Sequence, residues 1–287
     1  MKIKATPGER VFQACNYVFL TLLAFVCLYP MWHVLMASFS DSDALIAHSG
    51  LLLLPVELSP DAYKRVLSNH LVWIGYWNTL KLLVLGVSWQ MVMTTLGAYV
   101  LSRREFMLRR PIMLAITFTM FFSGGTIPTY LNIQQLGLKG SIWGLILPFS
   151  ISTYNMIILR TSFESMPESL LEAARIDGAA PLTCLLRIVL PLNKASLSVI
   201  ALYYGVGTWN AWFWASQLMG ERTRMPLSVV LRDILINSQM QQMDNGVTNL
   251  EGIKYALIVV ATVPILCVYP FIQKYFAQGV MIGAVKE

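Results

Sequence analysis

Charge is what this sequence has least of. Only 13% of its 287 residues are Asp, Glu, Lys or Arg, against 56% hydrophobic, whereas an ordinary soluble domain carries about 25% charged residues. A water-exposed globule of this length would lack the polar residues to cover itself, which excludes a soluble enzyme. Histidine is scarce too: His33, His48 and His70 show no metal-ligand spacing. The four cysteines, Cys15, Cys27, Cys184 and Cys267, form no CxxC pair. Three fall in apolar runs and one in a loop, which argues against a disulfide or zinc framework. No GxxxxGK[ST] phosphate loop occurs, so the chain cannot itself supply ATP chemistry. The net charge of +6 is not gathered into a basic run interleaved with aromatics, so no nucleic-acid surface is expected. In an apolar chain such an excess suits basic loops facing an anionic inner leaflet.

Long apolar blocks are what the chain has in abundance, and its mean hydropathy is +0.60. They run over about Val11–Ala37, Leu80–Leu101, Pro111–Leu131, Ile142–Leu159, Ala195–Ala215 and Tyr255–Tyr275. A bilayer crossing needs about 20 apolar residues, so an all-α, polytopic membrane protein with six transmembrane helices is expected. The first block is too long for a signal-peptide core and no small-residue cleavage site follows it, so it reads as a retained anchor. The third contains Ser123, Gly124, Gly125 and Pro128, which predicts a break or kink. Lys and Arg placement favours both termini in the cytoplasm. The tight cluster Arg103, Arg104, Arg109 and Arg110 would then lie inside, along with Arg160, Arg175, Arg187 and Lys194. The outer loops would carry Lys64, Arg65, Lys139, Arg222, Arg224, Arg232 and Lys254, with Lys81 at a membrane edge. No internal repeat or low-complexity tract divides the chain, so a single membrane domain over 1–287 is expected.

The inner loop 160–194 holds most of the information. Pro167 can start a helix with Glu168 favourably placed in its first turn. Leu170, Ala173, Ala174 and Asp177 fall near i, i+3, i+4, i+7 spacing. Gly178 can close that helix in the left-handed conformation. Pro181 suits the first turn of a second helix, with Leu182, Leu185, Leu186 and Val189 as its apolar stripe, and Pro191 stops it. The spacing thus predicts two short helices joined by a sharp glycine turn. The small pair Ala173–Ala174 would let another surface approach the backbone closely, and Glu172 offers a charge for a basic partner. A docking element and an amphipathic helix resting on the bilayer both fit these residues.

Glu172-Ala173-Ala174, three residues, Gly178, nine residues, Ile188, one residue, Leu190-Pro191 matches the EAA loop of ABC importer permeases at every fixed position. Seven fixed positions would coincide at a given start roughly once in 10⁷–10⁹ trials, at about 5–10% usage per residue type. The chain resembles the carbohydrate-uptake branch of these permeases, the smaller maltose-type inner-membrane subunit, over its whole length. That includes FTMFFSGGTIPTYL, TWNAWFW and the closing GVMIGAVKE. Within the branch it looks closest to the LplC-like polysaccharide and oligosaccharide subgroup, where an alginate-type uronate importer is one candidate.

The resemblance implies a type I ABC importer permease architecture and a non-catalytic subunit in the bacterial cytoplasmic (inner) membrane. It implies a second homologous permease, two copies of an ABC ATPase that bind ATP and Mg, and a periplasmic or extracellular solute-binding protein. In the family this loop inserts into a cleft on the ATPase. Glu172, Ala173, Ala174 and Gly178 would dock, while Ile188, Leu190 and Pro191 would fix the second short helix against the core. The closing tail would reach the ATPase pair.

For the cargo, Tyr203, Gly207, Asn210 and Trp214 follow spacings of four, three and four, so one continuous helix would place them on one face. A phenol, an amide and an indole around a small residue suit a sugar; an interfacial aromatic belt is the alternative. Tyr154 and Asn155 are polar within an apolar block and face either a cavity or neighbouring helices. His33 reads as structural. The outer segment Arg232–Asn245 is the candidate contact for the binding protein, or else a solvated connector. A secondary transporter or channel would need intramembrane ionisable residues, and an embedded transferase would need grouped carboxylates or histidines at one membrane face. The spans contain almost none of the former, and no such grouping of the latter occurs, which leaves a secondary transporter or channel for a small polar solute as the alternative.

Overall fold

The fold is known from a computed structural model that describes residues 7–245 and 251–284. The chain separates into two compact units. Of the described residues, one comprises 7–70, 231–245 and 251–264, the other 71–230 and 265–284.

The first unit opens on α1, Pro7–Ser38, apolar all round with only Ala37 and Ser38 buried within the chain. At 1.5 Å per residue its 32 residues exceed the thickness of a bilayer core. Two short helices follow: α2, Ser42–Ala47, capped by the Asp41 carboxylate, and α3, Asp61–Ser68. Polar side chains tie this segment together. Ser38 Oγ lies 2.7 Å from the Tyr63 hydroxyl, and the Val56 N–H donates to Ser40 Oγ at 3.0 Å. Gly252 donates its N–H to Ser42 Oγ at 3.1 Å. A Cβ at Gly252 would stand 2.9 Å from that same oxygen, so only glycine admits this approach. His33 packs edge-on to the Tyr255 ring at 5.8 Å, which is the structural role its sequence position suggested.

The second unit is built around α4, His70–Ser102, 33 residues long and ten residues longer at its start than the apolar block it contains. Next come α5, Arg109–Phe121, and α6, Thr126–Gln135, related by a 115° bend. The break falls in the predicted Ser-Gly-Gly segment, where Gly125 has φ +90°. The fourth apolar block is also interrupted. A single turn α7, Trp143–Ile146, passes into a tight turn at Leu147–Phe149, and α8 begins only at Thr153, running to Glu164. Pro148 supplies no N–H to a continuing helix, and Ser152 accepts from the Asn155 N–H as the cap of α8.

The segment 160–194 folds as α9, Glu168–Ile176, and α10, Pro181–Leu192. The chain then turns 86° into α11, Lys194–Trp209. Here the expected continuous helix over Ala195–Ala215 is corrected. It stops at Trp209, where the Asn210 side chain donates back to the Val206 carbonyl at 2.9 Å and competes with helix propagation. A separate α12, Trp212–Leu218, follows. The segment after it is largely helical, as α13, Leu227–Asn245. The long α14 spans Glu251–Ala284.

Among the described residues, α1 and α4 are each long and apolar enough to cross a membrane alone, and two bent pairs pass together. The core of the second unit gathers Ala98, Tyr99 and Leu101 of α4 with Met156, Leu159 and Phe163 of α8. Leu171, Cys184, Leu185 and Val189 of the inner loop complete it with Ile200 and Tyr204 of α11.

Candidate coupling site and transport cavity

The elbow of α9 and α10 has the predicted shape. Gly178 takes φ +78° with nothing within 4 Å of where a Cβ would stand. Its N–H donates to the Arg175 carbonyl at 2.9 Å, and the Ala179 N–H to the Ala174 carbonyl at 2.9 Å, a glycine-closed helix end. The apolar faces differ in part from the spacing-based expectation. In α9 it is Leu171 that is buried, while Leu170 is exposed. In α10, Leu185 and Val189 turn inward, but Leu182 and Leu186 turn out, at 60% and 54% exposure. Burying a Leu or Val contributes about 1.5–3 kcal/mol, so Leu171, Leu185 and Val189 hold the elbow to the core. What remains outside is a surface of Leu170, Ile176, Leu182 and Leu186 around exposed Glu172 and Ala173. Ala174 is half-buried against the core. Glu172 has no ion-pair partner among the described residues, which leaves its carboxylate available to a basic group on another chain.

Ile188 and Leu190 pack against the core, whereas Pro191 is exposed. Pro191 acts through the backbone instead: it has no N–H to donate, and just before it the Leu190 N–H reaches five residues back, to the Leu185 carbonyl. Leu185–Val189 is therefore a π-helical turn. At the 86° corner stands Asn193, a residue the sequence reading passed over. Its buried amide donates to the Val189 carbonyl at 2.8 Å and accepts from Ser162 Oγ at 2.7 Å. Ser162 in turn lies 2.8 Å from Ser196 Oγ.

A cleft of about 380 Å³ opens beside α9, lined by Arg103, Arg104, Glu105, Arg109, Arg160, Glu164, Glu168, Glu172 and Arg175 among others. Its charges pair across the chain. Arg104 lies 3.2 Å from Glu168, Arg109 lies 3.6 Å from Glu164, and Arg175 pairs with Glu105. Arg160 also pairs with Glu164, while its Nε donates to the Leu101 carbonyl at 3.0 Å. The basic cluster expected to orient the chain thus also clamps α9 to the turn between α4 and α5. The hydrogen bond from Arg175 holds the Glu105 carboxyl below its ordinary range. Exposed pairs of this kind contribute about 0–1 kcal/mol each, so they orient α9 more than they stabilise it.

Toward the middle of the unit, a cavity of about 890 Å³ is lined by Tyr154, Asn155, Tyr203, Gly207 and Trp214 together with Gln90, Phe149, Ser152 and Tyr204. Of the five sequence candidates for the cargo path, Tyr154, Asn155, Tyr203 and Trp214 come together here. The Tyr154 and Tyr203 ring centroids are 6.4 Å apart, and Trp214 meets Phe149 at 5.3 Å. Asn210 is not in the lining: it lies at the helix end, its amide engaged with its own backbone. The cavity wall is the irregular stretch around Phe149–Ser152, whose polar groups are satisfied by side chains. Trp89 Nε1 donates to Ser150 Oγ at 2.8 Å, and Gln90 Nε2 to the Phe149 carbonyl at 3.0 Å. The Ser152 N–H donates to the Tyr204 hydroxyl at 2.9 Å, which sits 2.6 Å from Thr94 Oγ1. Gln90, Tyr204 and Thr94 were legible only as polar atoms in apolar blocks. The amide oxygen of Gln90 is buried without a partner among the described residues.

The arrangement offers aromatic planes and a few amides and hydroxyls, with no carboxylate or histidine in the cavity lining. It can hold a polar, neutral-faced solute and has no group to break a bond in it. The closing GVMIGAVKE has described backbone only through Ala284, and its side chains lie outside the described residues.

The chain is also similar to known proteins. Residues 95–282 match the family described as binding-protein-dependent transport system inner membrane component. The polygalacturonan/rhamnogalacturonan transport system permease protein YtcP of Bacillus subtilis strain 168 is 40% identical, over 97% of this chain and 99% of its own. Protein LplC of the same organism is 38% identical over 98% and 97%. A chain from the crystal structure of a bacterial ABC transporter involved in the import of the acidic polysaccharide alginate superimposes with a TM-score of 0.87. It shares 34% identity, covering 96% of this chain and 100% of that one.

Proposed function

Because this chain belongs to the family of binding-protein-dependent transport system inner membrane components, we propose that it is the oligosaccharide-conducting permease of an ATP-driven importer. It is a non-catalytic membrane subunit, and ATP hydrolysis belongs to a separate ATPase. In this reading the whole chain works as one permease domain in the bacterial cytoplasmic membrane, crossing it six times with both termini inside. It pairs with a second, related permease to enclose the pore, and two ATPase copies, carrying ATP and Mg, grip the pair from the cytoplasm. A solute-binding protein delivers the sugar at the opposite face, with Arg232–Asn245 as the contact on this chain.

The observation that carries the proposal is the elbow. Its inward residues are buried, while an apolar and acidic surface around Glu172 and Ala173 is left uncovered. When nucleotide closes the ATPases, the docked elbow moves, and the clamp to the α4–α5 turn hands that displacement to the helices lining the cavity. Uptake follows from differential stabilisation of inward- and outward-facing states. The cargo is a polysaccharide-derived oligosaccharide, held by Tyr154, Asn155, Tyr203 and Trp214. That the lining holds aromatics rather than ionisable groups supports a sugar over an ion-coupled solute.

The test is reconstitution of the complete transporter in vesicles. Glu172→Lys or Gly178→Asp is expected to abolish ATP-dependent uptake while insertion and assembly with the second permease persist. Wild-type uptake and ATPase stimulation in both variants would refute it.

A further inference from the structure

A second cavity, of about 460 Å³, lies at the other end of α4 from the elbow. It is lined by Asn78, Lys81, Lys139, Ser141 and Arg224 together with apolar residues. Lys81 stands 21 residues before Ser102 on one helix, about 31 Å along its axis. The cavity shares Leu82 and Leu145 with the aromatic cavity, so the two adjoin.

Three cations converge here from three separate stretches of chain. Asn78 fixes their arrangement by donating its amide to the Thr223 carbonyl at 2.8 Å and the Met225 carbonyl at 3.1 Å. Arg224 adds a bond to the Gly140 carbonyl at 3.2 Å. Only Arg224 is offset, by Glu221 at 2.9 Å. Lys81 lies 5.3 Å from the centroid of the Trp77 ring. Lys139 donates to the Tyr130 hydroxyl at 2.6 Å. Neither lysine has a carboxylate partner among the described residues, and both are exposed. Aromatic neighbours steady a cation without neutralising it, so the cavity keeps an excess of positive charge.

We propose that this cavity is a receiving subsite for the carboxylate groups of an anionic, uronate-type oligosaccharide. Lys81 and Lys139 take the carboxylates as the chain passes toward the aromatic cavity. The inference rests on the oligosaccharide reading above and adds the residues that would select an anionic sugar over a neutral one. A positively charged concave mouth raises the local concentration of an anion, and ammonium–carboxylate hydrogen bonds are stronger than neutral ones. The aromatic cavity beyond would cover the C–H faces of the same sugars.

The test uses the assembled transporter in proteoliposomes with its binding protein, and compares uptake of labelled trigalacturonate and neutral maltotriose. In Lys81→Gln/Lys139→Gln the trigalacturonate concentration for half-maximal uptake is expected to rise about 5-fold, the scale of a solvent-screened ion pair or two. Lys81→Arg/Lys139→Arg should restore it. The binding-protein concentration that half-saturates ATPase stimulation should stay unchanged. A shift in that concentration instead would assign the cations to the binding protein's surface and overturn the proposal. An unshifted trigalacturonate dependence, or wild-type uptake confined to maltotriose, would overturn it equally while leaving the importer reading intact. Uptake of neither sugar by the wild type would strike the importer reading itself.

Discussion

At Gly178 two reasons for glycine can be separated. Its φ of +78° strains any other residue, yet a Cβ there would touch nothing. Asn and Asp tolerate that conformation best among the other residues, and β-branched side chains tolerate it worst. Gly178→Asn is therefore expected to keep the folded transporter close to wild-type stability, whereas Gly178→Val should lose about 1–2 kcal/mol. Thermal unfolding of the solubilised complex would measure the difference. If Gly178→Asp then abolishes uptake without such a loss, the defect lies in the surface offered to the ATPase and not in the turn. Tyr204 is the counterpart inside the unit. Its hydroxyl serves both Thr94 and the Ser152 N–H, and Tyr204→Phe leaves the latter donor unpaired. That change should cost about 1–3 kcal/mol, read as a lowered midpoint in the same assay; an unchanged midpoint would show that water replaces the hydroxyl.

Among the elements, the clamp on α9 makes a pH prediction with a definite sign. Glu105 is held below its ordinary carboxylate value by the Arg175 hydrogen bond. A depressed carboxyl contributes stability above its unfolded value, about 4.3, and that contribution is lost as pH falls through the still lower folded value. Between about pH 5.5 and 8 the pair should add no pH dependence to the coupling of ATP hydrolysis to uptake. Glu105→Gln should loosen that coupling at neutral pH, measured as ATP hydrolysed per sugar carried, and a ratio unchanged from wild type would exclude the pair from transmission. This clamp also marks the limit of what the sequence makes legible. Pro167, Gly178 and Pro181 are local signals, and they located the elbow to within a residue or so. Arg175 and Glu105 are 70 residues apart, and no spacing rule links them. Likewise, periodicity alone put Leu170 on the apolar side of α9, whereas docking against α4 and α8 selected Leu171. The break at Asn210 was missed because the amide's bond to its own backbone is invisible to a count of threes and fours.

For the transporter as a whole, burial predicts where the neighbouring ATPase can be reached. In a background lacking the native cysteines, Ala173→Cys and Leu182→Cys should cross-link to the ATPase with a short bifunctional reagent. Leu171→Cys and Val189→Cys, whose positions are buried, should not. Equal reaction at all four sites would mean that the elbow is not held against the core. Four of the five cargo candidates meeting around one cavity shows how far polar residues in apolar blocks carry a sequence reading. The second cavity was out of reach of such reading, since Lys81, Lys139 and Arg224 converge only once the chain is folded.

The corner at Asn193 has a mechanical consequence. One side-chain amide, braced by Ser162, holds the chain where it swings from the elbow into α11, which lines the aromatic cavity. On the coupling proposed above, the part of the stroke that follows the backbone crosses this one riveted corner, while the rest passes through the clamp on α9.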